Sequence, residues 1–179
     1  MVSDAHCFEV PARRQRDIEG IATALRQTLG VTEPFFPLLE VAERKIPQAW
    51  EGFYLGVAEQ DELGNDHGRT YPDQGTILLR EDVYAGVRAH NGRDRFTLAH
   101  ELGHLVLHSN TGMARRVRSS EIKIYCNSEW QADAFGGALL VPAHIARELG
   151  SADAIVRICG VSEAAANTRL RVLRRHGMM

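Results

Sequence analysis

A chain of 179 residues with 44% hydrophobic and 25% charged side chains is long enough to bury one globular core, with room for a small appendage. Its net charge of -2 and pI near 6.4 exclude a global pull toward nucleic acid or acidic lipid, so such a partner needs a local patch. No apolar run approaches the ~20 residues that span a bilayer, and Met1-Val2-Ser3-Asp4-Ala5-His6 lacks the basic and apolar regions of a secretory signal, so a cytoplasmic protein without membrane contact is expected. Cys7, Cys126 and Cys159 are widely spaced and odd in number, which fits a reducing compartment better than a disulfide framework.

Residues 1–12 read as a flexible leader closed by Pro11, and Cys7 falls within it. From Arg13 to Leu29, Ile18, Ile21, Ala22, Leu25 and Leu29 recur at helical spacing and Gly30 is a stop. A second helix is expected over Phe35 to Lys45. Then Phe53-Tyr54-Leu55-Gly56-Val57 and Thr76-Ile77-Leu78-Leu79 read as short strands, with Asp73-Gln74-Gly75 as a turn and the acidic stretch through Glu59, Asp61, Glu62, Asn65 and Asp66 as a solvated loop. Asp94 is a candidate cap for a helix running to His108. Residues 113–125 lack a pattern. Asn127 and Ser128 offer caps to a helix through Leu140, and a short helix follows Pro142. The tail, 151–179, reads as a helix, a turn at Gly160, and a basic helix capped by Ser162. Cys159 sits among apolar neighbours there and is expected in the core.

The helix ending at His108 contains His100-Glu101-Leu102-Gly103-His104. Each helical residue advances about 100°, so His100 and His104 lie roughly 40° apart on one face and one turn apart along the axis. Two imidazoles so placed can grip one metal ion. Glu101 is offset to the side, where a carboxylate takes a proton from water activated by the metal without occupying a coordination position. Buried histidines beside a glutamate need polar partners, which favours a site over a packed core.

Catalytic zinc takes three protein ligands and keeps a position open, so a third ligand is needed. His108 lies a further turn along the same helix and is a poor candidate, and the position reached by a bend in three-histidine sites is Asn110. Glu129 is the better one, on a second helix that can cross the first. Asp133, one turn on, is suited to accept the other ring N–H of a ligand histidine. Cys126, three residues before Glu129, is a candidate inhibitory ligand, since a thiolate in the open position would hold the site closed; its alternative is a small buried hydrophobe.

The segment Thr97-Leu98-Ala99-His100-Glu101-Leu102-Gly103-His104, followed by Glu129-x-x-Ala132-Asp133-x-Phe135 and Leu139-Leu140-Val141-Pro142, resembles the ImmA/IrrE family of metallopeptidases, over about residues 15 to 175. The resemblance implies an α+β fold with a minimal zincin-like core over 13–150 (a small twisted sheet, an active-site helix and a second ligand-bearing helix) and a small helix-turn-helix-like tail that helps select the substrate. It implies a zinc endopeptidase that cleaves a helix-turn-helix repressor after DNA damage or phage infection and so releases silenced genes. The departure is Asp133, where the family more often carries asparagine.

Zinc held by His100, His104 and Glu129, with Glu101 as general base, leaves the scissile carbonyl in need of a further donor, and Tyr54, Tyr84, His90 and Tyr125 are candidates. Thr76-Ile77-Leu78-Leu79-Arg80 is the candidate edge strand for pairing with substrate. Arg115, Arg116, Arg118 and Lys123 form one basic cluster and the tail forms another. Such patches could hold a phosphate backbone, including a single strand of DNA acting as the activating signal. A monomer or weak dimer is expected. Two alternatives stay open: a regulatory protein with a structural metal site that binds a repressor or DNA, and a toxin- or antitoxin-like phage module.

Overall fold

In this computed structural model the chain is described over residues 6–109, 111, 116–118 and 122–179. The architecture is mixed α+β, as the sequence suggests. A three-stranded sheet of β2 (Tyr54–Ala58), β3 (Gly68–Tyr71) and β4 (Thr76–Arg80) has the order β2-β4-β3. β2 runs parallel to β4, with Tyr54 opposite Thr76, while β3 runs antiparallel, with Gly68 opposite Leu79. The continuous apolar run Ile77-Leu78-Leu79 thus belongs to the central strand, with Ile77 and Leu79 buried and Leu78 on the half-buried face. Thr76–Arg80 is not an edge; the edges are β2 and β3.

The acidic connection expected as a loop folds instead into a one-turn helix, α4 (Gln60–Leu63), followed by β3. Leu63, only 3% exposed, anchors that turn, and the four residues of β3 are all half-buried. Before the sheet, α1 (Gln15–Thr28) buries Ile18 and Ala22. A helical stretch then runs from α2 (Leu38–Glu40) through a π turn (Val41–Lys45) to α3 (Ile46–Ala49), further than the expected stop at Lys45. α5 (Glu81–Arg88) leads into α6 (Gly92–His108), the longest helix. Its cap is Asn91 rather than Asp94: the Asn91 side-chain Oδ1 accepts from the backbone N–H of Arg93 and Asp94 at 2.9 and 3.3 Å.

The segment expected as a free leader is tied down from residue 6. β1 (His6–Phe8) pairs antiparallel with β5 (Arg116–Arg118), Ser128 accepts from the Phe8 backbone N–H, and Cys7 is 1% exposed. Cys7 and Val10 are buried while Phe8 and Glu9 between them are exposed, a pattern too short and irregular to read as a strand.

α7 (Ser128–Leu140), capped by the Asn127 side chain, crosses α6. Small residues let the backbones approach. A Cβ on Gly103 would lie 3.0 Å from Ala132 Cα and O, and one on Gly136 would lie 3.3 Å from the His100 backbone nitrogen. α8 (Ala143–Leu149), α9 (Ala152–Cys159) and α10 (Glu163–Arg175) follow, with turns at Gly150 and Gly160 in the left-handed conformation that glycine tolerates. Ile155, Cys159, Ala166, Leu170 and Leu173 join the same buried cluster as Leu98, Leu102 and Phe135, so the core runs without a break across position 151. Two buried arginines fasten this end. Arg95 of α6 donates to the carbonyls of Phe36, Cys159 and Gly160, and Arg169 of α10 forks onto Glu19 of α1 at 2.5 and 2.7 Å. Arg169 is therefore not part of a free basic surface.

Candidate metal centre

The crossing of α6 and α7 sets the site. His100 and His104 project from one face of α6, while Glu129 and Asp133 project one turn apart from α7, so the crossing brings the four side chains together. His104 Nε2 lies 3.0 Å from His100 Nε2, and the two Glu129 oxygens lie 3.3 Å from the same two nitrogens. Bonds of about 2.0–2.1 Å to a tetrahedral zinc ion place adjacent ligand atoms about 3.3 Å apart, so this donor set has the spacing and chemistry for such an ion. Among the described residues it is the group of histidine, cysteine and acidic side chains close enough to share one. The rings are largely covered at 17% and 15% exposure, whereas Glu129 at 44% leaves one side of the cluster open.

Electrostatics agree with the geometry. Burial works against charge on His100, but the carboxylates of Asp133, 2.8 Å from Nδ1, and of Glu129 outweigh it and push the imidazole up to about 10. Burial likewise opposes charge on Glu129, yet the imidazoles of His100 and His104 hold its carboxyl well below the usual carboxylate range. The cluster is thus a strong proton trap that a cation can replace. For His108, burial first and His104 second push the ring down to about 4, which keeps it neutral near pH 7.

Glu101 stands beside the cluster and outside it. It is 7% exposed, and its Oε2 accepts from the Thr70 hydroxyl at 2.6 Å, with the Glu101 backbone carbonyl 3.0 Å from the Thr70 Oγ1. β3 can come this close because residue 68 is glycine: a Cβ there would lie 2.9 Å from Glu101 Cγ and 3.1 Å from Leu79 Cδ2. A cleft of about 330 Å³ opens here, lined by Asn65, Asp66, His67 and Gly68 on one side and by Phe96, Thr97, His100, Glu101 and Asp133 on the other. His67 Nδ1 faces the Arg80 guanidinium at 2.9 Å, which only donates, so the His67 proton sits on Nε2. Neither Thr70 nor His67 announces itself in the sequence, since each is a lone polar residue in a polar stretch.

The expected donors lie elsewhere. Tyr54 is on β2, with β4 between it and the cleft strand, and is 59% exposed. The Tyr84 hydroxyl donates to Glu43 at 2.5 Å, and His90 packs edge-on against Phe35 before α6 begins. Tyr125 is 40% exposed and contacts Lys123 through its ring. None of the four lines the cleft. Cys126, in a 3-10 turn (Ile124–Cys126), is not among the converging ligand atoms. Of the basic cluster, Lys123 is exposed; Arg115 and the side chains of Arg116 and Arg118 lie outside the described residues.

A mixed α+β domain in which a His-Glu-x-x-His helix meets a glutamate from a crossing helix defines a metallopeptidase-like class. Within that class the chain belongs to the family described as Peptidase_M78, IrrE N-terminal-like domain, whose model matches residues 57–171. Membership implies, in general terms, a metal-dependent peptidase. No curated protein matches. A solved structure described as a Mycobacterium tuberculosis transcriptional regulator resembles it with a TM-score of 0.60 at 17% identity, covering 87% of this chain and 46% of that one. At that identity the likeness shows the fold alone, and this chain spans less than half the length of that protein. Among the described residues no helix is long and apolar enough to cross a membrane.

Proposed function

We propose that the chain is a zinc-dependent endopeptidase with a minimal zincin-like core, and that it cleaves a helix-turn-helix repressor to release stress, DNA-damage or phage-defence genes. The observation that carries this reading is the pairing of a three-donor cluster with a glutamate that stays out of it. A zinc ion bound there supplies Lewis acidity, making water acidic near neutral pH and polarising a carbonyl. The remaining work falls to the chain's own side chains. Glu101 holds Oε2 against Thr70 and keeps Oε1 to take the proton of the attacking water and return it to the leaving amine. Asp133 accepts from His100 Nδ1 and so leaves Nε2 free to ligate. His67, which lines the cleft with its proton on Nε2, is the donor we assign to the carbonyl oxygen in place of the four expected tyrosine and histidine candidates. The unpaired side of β3 takes the role first assigned to Thr76–Arg80, pairing with an extended substrate segment.

The substrate class rests on the family. In this reading α9 and α10 help to select the repressor, a single-stranded DNA signal opens the site, and the protein works in the cytoplasm as a monomer or weak dimer. The alternative, a non-proteolytic regulator with a structural metal site, has no use for a general base at an open cleft. Co-expression with a candidate helix-turn-helix repressor, wild type against Glu101→Gln after DNA damage, tests the proposal. Repressor loss in the wild type alone is expected, and equal loss in both sinks the peptidase reading.

A further inference from the structure

His108 is outside the ligand cluster, yet it is only 6% exposed and both of its ring nitrogens are engaged. Nδ1 lies 3.2 Å from His104 Nδ1, and Nε2 lies 3.3 Å from Gln131 Oε1. Two facing imidazole nitrogens leave the direction of the proton open. Gln131 settles it. This side chain is fully buried on α7, and its amide nitrogen donates to two backbone carbonyls, Pro11 at 2.9 Å and Tyr125 at 2.8 Å. Only an NH2 group can serve two carbonyls, so the amide oxygen is the atom that faces His108. An amide oxygen only accepts, and His108 must therefore carry its proton on Nε2 and present a lone pair at Nδ1. His104 then donates from its own Nδ1. Its Nε2, the atom in the cluster, is then the nitrogen whose lone pair a metal ion would take.

We infer that His108 and Gln131 are positioning residues that hold His104 in the metal-ligating tautomer through a directed chain of hydrogen bonds, anchored on the backbone of residues 11 and 125. The inference rests on the reading of His104 as a metal ligand, but the proton positions it requires do not depend on the metal being bound. The two ligand histidines are thus oriented by unlike partners. His100 faces a carboxylate, which adds negative charge, whereas His104 faces a neutral ring backed by a neutral amide. The neutral chain orients the ligand at a buried position without placing a second acid there. Its anchor also joins the metal helix to two segments remote in sequence, the start of the chain and the turn that precedes α7.

The test is a long-range 1H–15N correlation spectrum of histidine-labelled full-length protein, with and without zinc, joined to zinc affinity by chelator competition. Expected are a proton on Nδ1 of His104 and on Nε2 alone of His108 in both forms. A proton on His108 Nδ1, or a doubly protonated His108 at neutral pH, overturns the inference. His108→Leu and Gln131→Leu should lower zinc affinity by about 10- to 100-fold. His108→Gln, whose carbonyl can accept from His104, should recover most of it. A folded His108→Leu protein with wild-type zinc affinity also overturns the inference. Should these variants fail to fold, the wild-type spectrum alone decides. Wild-type protein that shows these tautomers but binds no zinc overturns the metal reading instead.

Discussion

The Thr70 hydroxyl donates to Glu101 Oε2 at 2.6 Å, joining the edge strand β3 to the face of α6 that adjoins the metal ligands. The contact fixes which carboxylate oxygen is free to act and where it points. Thr70→Val keeps the shape and removes the donor. A hydrogen bond to a charged group is worth about 1.5–3 kcal/mol, so kcat should fall by about tenfold or more while zinc content stays at the wild-type level. Unchanged kcat would mean that the bond is incidental.

The closeness of α6 and α7 at Gly103 gives a second expectation. Alanine normally favours a helix over glycine by about 1 kcal/mol, but here its Cβ would press on Ala132 backbone atoms at 3.0 Å. Gly103→Ala should therefore destabilise the fold by about 1–3 kcal/mol in urea denaturation. Zinc affinity should fall with it, because α7 carries Glu129. A gain in stability would show that the crossing has slack.

The metal-free cluster makes stability depend on pH with a definite sign. His100 is raised in the folded protein to about 10 from an ordinary value near 6.5, so its ion pairs contribute fully below 6.5 and the contribution is lost as pH rises toward 10. Chelator-treated protein should thus unfold at lower denaturant concentration at pH 9 than at pH 6.5. Zinc must displace the same proton, so its affinity should climb over that range. A zinc affinity that does not change with pH would contradict the assignment of His100.

Cys126 lies outside the converging donors, so Cys126→Ser should leave basal cleavage and zinc content as they are. A rise in basal cleavage would reveal that the thiol reaches the metal in another conformation.

What the sequence makes legible is the chemistry that repeats at helical spacing. His100, His104, Glu129 and Asp133 come together as the i, i+4 pattern on two helices suggests. What stays hidden depends on contacts across the chain. β3 carries Gly-Arg-Thr-Tyr, a run with no apolar alternation, so neither the strand nor Thr70 could be read beforehand, and the apolar Thr76–Arg80 drew the edge assignment that belongs to β3. Rotation and rise along α6 set His108 apart from the histidine pair, but its partnership with Gln131 exists only once α7 crosses. Arg169, in the basic tail, reads as surface charge because nothing local foretells the carbonyl and the carboxylate that bury it.

The central claim is that Glu101 works as the base beside a metal it does not hold. It is tested most directly by measuring, on purified wild type and Glu101→Gln, both bound zinc per chain and cleavage of a candidate helix-turn-helix repressor by mass spectrometry. The account predicts one zinc in each protein and, in the variant, a rate lower by about 10²–10⁴-fold. Equal cleavage by the two, or loss of zinc from the variant, would contradict it.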